Sequence, residues 1–347
     1  MTRLFQTLAP LLLADPSPCL RLLVLRELLG RPEDDAEVRE LAGLQETDPL
    51  IADLFRLQAE EGSWRSVDLG RTARKGRVVA TAHALMRLGY LGFGPEHPAV
   101  QRGAEYLFSQ QREDGSWPLP TVREGEAEGY QMIPLQTAIP LRGLAACGYA
   151  TDPRSERAYE WLLARRLEDG AWPTGMASGN YGGVAGYRRL PHSRWGCRSN
   201  TTGALICLAL HPERRTGPEA HRALDLLLAR ETRERHALGF EVARLIGAEP
   251  ARGVFTYFAR FDLALVLDLC WRVGASREEG RIAELVEFVR QQQGPYGLWE
   301  YKPRPQASRW VTFDLLRSLS RLDETTDWLS LEPRTRFRAY ARGARRY

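Results

Sequence analysis

Gln58…Gly62-Ser63-Trp64, Gln111…Gly115-Ser116-Trp117, Arg166…Gly170-Ala171-Trp172 and Gln293…Gly297-Leu298-Trp299 are one phrase written four times. In every copy Trp follows the Gln or Arg position by six residues and the Gly by two, while the residues between them drift. A fixed register over changing content is an internal repeat, and a repeat settles architecture before any single helix does. Successive Trp residues are 53, 55 and 127 positions apart, so the last gap holds two repeats. Residues 222–239 fit the missing copy: a Leu-rich stretch from Arg222 that runs out at Leu238-Gly239 without a Trp.

The phrase has a physical meaning. A helix ends, Gly supplies the left-handed or closely approached backbone that ends it, and the Trp folds back across the helix just left. The Gln amide carries both donors and acceptors, so it can tie the turn to the start of a neighbouring helix while the indole covers it.

Between these turns lie segments with apolar residues at helical spacing: 19–30, 78–89, 136–148, 200–210, 260–274 and 309–322. They are apolar nearly all round, which marks helices buried on all sides. Their partners, 48–60, 98–112, 155–167, 219–232, 279–293 and 331–345, are amphipathic and charged, with one face for water. No alternating strand pattern competes, so the chain reads as all-α. Six buried helices alternating with six outer ones close into a two-layered ring, an (α/α)6 toroid whose inner helices surround a central cavity. An open superhelix of the same pairs is the rival architecture. Although 347 residues would ordinarily suggest two domains, the repeat allows one domain over residues 1–347.

Composition narrows the function classes. No apolar run is long enough to span a bilayer, which takes roughly 18 residues or more, so a soluble protein with at most a peripheral membrane contact is expected. Met1–Ala14 resembles a secretion signal only superficially, because Gln6, Thr7 and Pro10 interrupt its short apolar region. Cysteines at 19, 147, 197, 207 and 270 form no CxxC pair, which points to a reducing, cytoplasmic setting. The net charge of +4 is mild and no binding motif accompanies it, so nucleic acid is not an expected partner.

The Gln…Gly-x-Trp turns, each leading into an apolar helix, resemble the QW-type repeats of the squalene-hopene cyclase, oxidosqualene cyclase and protein prenyltransferase β-subunit superfamily. The closing stretch from Gly297-Leu-Trp-Glu-Tyr-Lys to Ser308-Arg-Trp-Val-Thr-Phe is similar to uncharacterised bacterial prenyltransferase-like single-domain proteins. The resemblance implies the toroid and an isoprenoid-handling enzyme. It does not carry over the chemistry intact. The Asp-x-Asp-Asp acid of the class II cyclases is absent, since Glu33-Asp34-Asp35 lies in the wrong region and Asp262 and Asp268 are six apart. The Asp-Asp-x-x-Asp magnesium motif is absent too.

In such a ring the connections from outer to inner helices gather at one end: 61–77, 113–133, 168–198, 238–257 and 294–308. Long loops on a rigid scaffold are where function concentrates. Residues 173–198 hold Arg188, Arg189, Arg194 and Arg198 without an acid, which suits an anionic diphosphate or carboxylate head; the bland reading is a solvated surface. Tyr187, Trp195, Tyr257, Phe258 and Trp310 could line a pocket for a polyisoprene chain, or equally be core. Asp262, at the start of an inner helix, is the candidate general acid, against the simpler role of capping that helix. His192 and Cys197 complete the candidate catalytic set and, with Asp262, supply donor types found at the superfamily's zinc site, although its local signature is missing. The expected ligand is a hydrophobic or isoprenoid small molecule with an anionic head, and the cofactor is unknown. Two other readings stand beside the enzyme: a non-catalytic ring that binds a lipid, peptide or protein, and a carbohydrate-active toroid using a pair such as Asp262 and Asp314.

Overall fold

The computed structural model describes residues 2–65, 76–117, 134–173, 190–234, 236–249 and 261–322. In chain order its helices begin with α1 (Thr2–Leu13), α2 (Pro18–Leu23) extended by a π-helical turn (Val24–Leu28), α3 (Ala36–Leu44), α4 (Ala52–Arg56), α5 (Arg77–Tyr90), α6 (Pro98–Ser109) and α7 (Pro134–Ala146). They continue with α8 (Pro153–Leu163), α9 (Arg198–Leu210), α10 (Pro218–Leu228), α11 (Phe240–Leu245), α12 (Leu263–Arg272), α13 (Gly280–Arg290) and α14 (Ser308–Arg321). The only strands among the described residues are β1 (His236–Ala237) and β2 (Phe261–Asp262), a two-residue parallel pair. The protein is all-α.

The six apolar segments are the inner helices: α2 with its π turn, α5, α7, α9, α12 and α14. Five of the amphipathic segments are α4, α6, α8, α10 and α13; the sixth, 331–345, lies outside the described residues. Three of the five described outer helices, α6, α8 and α10, start on a Pro, behind a side-chain cap in His97-Pro98 and Asp152-Pro153. Pro costs nothing there because its missing N–H has no helical acceptor anyway.

Each turn works as its sequence implies. The indole N–H groups of Trp64, Trp117, Trp172 and Trp299 donate to the carbonyls of Leu54, Leu107, Leu162 and Val289 at 2.7, 2.7, 2.7 and 2.6 Å, so every Trp lies back along the outer helix it follows. All four indoles are buried. Gln58 Nε2 donates to Gly62 O within the turn at 3.0 Å and to Ala99 O at the start of α6 at 2.9 Å. Gln111 repeats this on Gly115 O and on Arg154 O of α8, both at 2.9 Å. Where Arg166 replaces Gln, Arg222 of α10 reaches back to Asp169 O at 2.9 Å and makes the tie from the other side. Gly62 is required twice over: its φ is +90°, and a Cβ there would stand 2.2 Å from Arg102 O.

A further element of the repeat lies in the inner helices. The backbone N–H of each Trp donates to a Thr hydroxyl one turn into the following inner helix: Thr81, Thr137, Thr201 and Thr312, at 2.9 to 3.2 Å. The buried Thr therefore fixes the outer-to-inner angle, satisfying a donor that would otherwise be stranded in the core.

Neighbouring inner helices touch in order, α5 to α7 to α9 to α12 to α14, and α14 meets both α1 and the π turn that follows α2. The α5 and α7 backbones approach closely because a Cβ at Gly89 would lie 2.4 Å from Ala146 O, and one at Gly143 would lie 2.7 Å from Ala82 O. Arg317 of α14 reaches Glu27 of the π turn at 3.5 Å, joining last inner helix to first. One contiguous apolar cluster extends from Leu8 to Leu322 through all of them.

The expected central cavity is partly filled. Segment 238–257, expected as a loop, contains α11, and α11 lies inside the ring. Its residues Glu241 to Leu245 are buried, and it contacts α5, α12 and α14. Gly239, at φ +83°, turns the chain inward at a point where a Cβ would stand 2.3 Å from a Val311 methyl.

Candidate functional site

Asp262 is the N-cap of α12. Its carboxylate accepts from Ala264 N at 3.1 Å, Gly239 N at 2.8 Å and Glu241 N at 2.6 Å. Burial pushes its carboxyl up to about 6, against those three backbone donors, which favour the charged form. Its work is to fasten the start of α11 to the start of α12, and the capping role is the one seen.

The other expected site residues divide. Cys197 is buried at the N-cap of α9, and the guanidinium of Arg198, the first residue of that helix, lies 4.3 Å from the Phe261 ring centroid. Arg194 is exposed and lies over Trp195 at 4.8 Å. His192 is exposed, with φ +57° in a turn. Trp310 is buried in the first turn of α14, 6.1 Å from the Tyr90 ring. Tyr187, Arg188, Arg189, Tyr257 and Phe258 lie outside the described residues. Among the described residues no three His, Cys, Asp or Glu side chains are grouped to hold a metal ion, so His192, Cys197 and Asp262 do not converge as a zinc site.

The described cavity is elsewhere. A half-open volume of about 300 Å³ is lined by the inner helices toward the ends where they finish: Tyr90, Ala146, Leu210, Arg272 and Arg321 are the last residues of α5, α7, α9, α12 and α14. The described residues among the expected set, from His192 to Arg198 with Asp262 and Trp310, sit at the opposite ends, where α9, α12 and α14 begin. Val242 and Leu245 of α11 contribute to the lining beside Leu23, Met86, Ile206, Ala209, Leu265 and Leu269. About 300 Å³ is the lower end of the range for small-molecule pockets.

Two buried charge networks border this apolar space. On the α11 side, Glu241 meets Arg244 and Arg142 of α7, each at 2.6 Å, and Arg244 reaches His83 of α5 at 2.6 Å. Burial disfavours the Glu241 charge, but the two guanidiniums outweigh burial and hold its carboxyl at about 2. On the other side, Arg317 lies between Asp314, to which it is hydrogen-bonded, and Asp268 at 3.7 Å. Asp268 is bonded further by Arg272 at 2.8 Å and by the Trp271 indole N–H at 3.1 Å. Glu27, in the π turn, accepts from Arg321 at 3.2 Å.

The two aspartates are unequal. Asp268 faces Arg272, Arg317 and an indole donor, which together overcome its burial and lower its carboxyl below the ordinary value. Asp314 has Arg317 as its one hydrogen-bonding side chain among the described residues; burial first, and the neighbouring Asp268 charge, raise it to about 7 against Arg317. A carboxyl that keeps its proton near neutrality, beside one that does not, is an acid in a position to donate.

The sequence passed over Tyr90, Glu27, Arg272, Arg317 and Arg321. Their signal was present: charges and a phenol on helices otherwise apolar all round must face either a partner or a lumen.

Residues 45–190 match the family model of the squalene-hopene cyclase C-terminal domain. A squalene-hopene cyclase of Bradyrhizobium diazoefficiens is 30% identical over 159 residues, covering 42% of this chain and 23% of that protein. One from Zymomonas mobilis is 30% identical over 165 residues, covering 44% and 24%. The match thus spans about a quarter of the length of these relatives. Among solved structures, a variant of the type II terpene cyclase MstE from Scytonema, in complex with geranylgeranyl dihydroxybenzoate, is 18% identical with a TM-score of 0.47, over 78% of this chain and 70% of that one. By its Gln…Gly-x-Trp turns and the match over residues 45–190, the chain is terpenoid cyclase-like.

Proposed function

We propose that the protein is an isoprenoid-handling enzyme whose hydrophobic ligand occupies the cavity where the inner helices end, with Asp314 as the candidate proton donor and residues 1–347 acting as one unit. The observation that carries this is a half-open hollow of about 300 Å³ lined by residues from all six inner helices, with apolar side chains beside a charged wall and a buried carboxyl raised to about 7. Apolar walls reward burial of a hydrocarbon chain at about 25 cal/mol per Å². The match to squalene-hopene cyclases over residues 45–190 supports the same class of ligand. The carbohydrate reading loses support, because all of Asp262's seen bonds go to backbone donors.

Filling the cavity tests the reading. Native mass spectrometry with prenyl alcohols, prenyl diphosphates and squalene should give an adduct with the wild-type protein and none with Ala209→Phe, whose ring would occupy the lining at that point. Equal adducts on a folded Ala209→Phe protein would place the ligand elsewhere.

A further inference from the structure

A saturated carbon takes about 27 Å³ at the packing density of a protein interior. The hollow of about 300 Å³ therefore has room for about eleven carbons, two isoprene units and little more. A chain of six units, such as squalene, would need about 800 Å³ at the same density. Space inside the ring is taken up by α11, whose Val242 and Leu245 line the hollow across from the inner helices. Leu245 keeps 7% of its surface accessible, so its side chain bounds open space instead of being sealed behind other atoms.

α11 is held where it is. Asp262 accepts from Gly239 N at 2.8 Å and from Glu241 N at 2.6 Å, which fixes the first turn. Glu241 pairs with Arg142 of α7, and Arg244 reaches His83 of α5, each at 2.6 Å. Swinging the helix aside for a longer chain would part buried charges from their partners, which a protein interior penalises heavily. The more exposed side of the lining offers a chain no apolar cover either. Glu27, Arg272 and Arg321 stand there with 26%, 22% and 36% of their side chains exposed, and carbons that pass them lie among charges or in water.

We infer that the hollow takes a short isoprenoid, with two isoprene units inside it and a third at its charged rim, and that α11 sets this limit through Leu245 and Val242. The inference rests on the cavity reading above and names the length of its ligand. Leu245 and Val242 are thus specificity-determining residues, acting by the volume they withhold.

Prenyl alcohols of one to four isoprene units, titrated against the full-length protein by intrinsic tryptophan fluorescence, test it. From prenol to geraniol the affinity should rise about tenfold or more, a fraction of the several-hundredfold that complete burial of five carbons would give. From farnesol to geranylgeraniol it should change by less than about twofold, because the fourth unit buries nothing. Leu245→Ala removes three carbons from the wall and should enlarge the step from geraniol to farnesol by about fivefold, and Val242→Ala should enlarge it less. A tenfold rise from farnesol to geranylgeraniol in the wild-type protein overturns the length limit while leaving the cavity reading intact. Unchanged steps in both folded variants overturn the part given to α11. Binding of none of the four alcohols overturns the length limit and the cavity reading together. The wild-type series decides the limit even where a variant fails to fold.

Discussion

At the scale of the residue, Asp314 and Glu241 show how one interior can drive two carboxyls in opposite directions. Glu241 is flanked by Arg142 and Arg244 and is lowered to about 2. Asp314 is buried beside another carboxylate and is raised to about 7. The linked stability follows with opposite signs. Glu241 stabilises the fold above its unfolded value near 4.5, and that contribution is lost as pH falls toward 2. Asp314 does the reverse: its proton is held more tightly in the folded state, so its contribution is full below 3.8 and is lost as pH rises through 7. The fold should therefore lose stability between about pH 4 and 7, and Asp314→Asn, which cannot ionise, should reduce that slope and leave the smaller part that Asp262, raised to about 6, contributes. Thermal unfolding midpoints at pH 5, 6, 7 and 8 for both proteins check it. An unchanged slope in the variant would mean that Asp314 is already ionised at pH 5. Neither side chain was legible in sequence as a titrating group, because the shift of Asp314 is set by its burial and that of Glu241 by the two guanidiniums the fold brings beside it.

At the scale of the element, the turn was the most legible feature and also shows where sequence stops. Four copies in one register gave the inner and outer helices of the described residues to within a few residues, α4 (Ala52–Arg56) being much shorter than the expected 48–60, since Gly-x-Trp is a local device whose partners, the preceding helix and the start of the next outer helix, recur at a similar offset. The Thr in each inner helix is equally regular, yet its meaning appears only when the Trp N–H is seen to point at it. Helix α11 was missed because it has only six residues and its Glu241 and Arg244 look like the charged face of a surface turn; their burial is decided by Arg142 and His83, far away in sequence. The glycines allow a sharp comparison. Gly115 and Gly30 both have positive φ, but a Cβ on Gly115 would stand 2.5 Å from Arg157 O, whereas one on Gly30 meets nothing within 4 Å. Gly30→Ala should cost about 1–2 kcal/mol, the left-handed backbone penalty alone. Gly115→Ala should cost more, roughly 3 kcal/mol or above, because backbone must also move. Urea denaturation of the two variants measures the difference, and equal losses would show that the close approach to α8 relaxes freely.

At the scale of the whole molecule, the centre of the ring does two jobs. Residues from α5, α7, α11 and the start of α12 meet there through His83, Arg142, Glu241, Arg244 and Asp262, so one polar cluster joins segments separated by as many as 179 positions. The same cluster borders the cavity through Arg142 and Glu241, while Arg194 and Arg198, the described part of the expected basic set, stand where α9 begins. Long, Arg-rich connections marked one end of the ring plainly in the sequence, but a six-residue helix folded into the lumen decides where the space remains. A test of this centre is Glu241→Gln. It removes the charge that two buried guanidiniums face, and breaking a buried pair from one side costs about 3–5 kcal/mol. An exposed pair offers the control: Asp53 and Arg56 lie 2.9 Å apart but 75% and 72% exposed, so Asp53→Asn should change stability by about 0.5 kcal/mol or less. Because the apolar cluster runs without a break from Leu8 to Leu322, the loss at Glu241 should appear as a shift of one cooperative transition, the same by tryptophan fluorescence and by far-ultraviolet circular dichroism. If the two probes separated in the variant, with the helical signal persisting after the fluorescence change, the central cluster would be a local clasp on α11 and the ring would hold together without it.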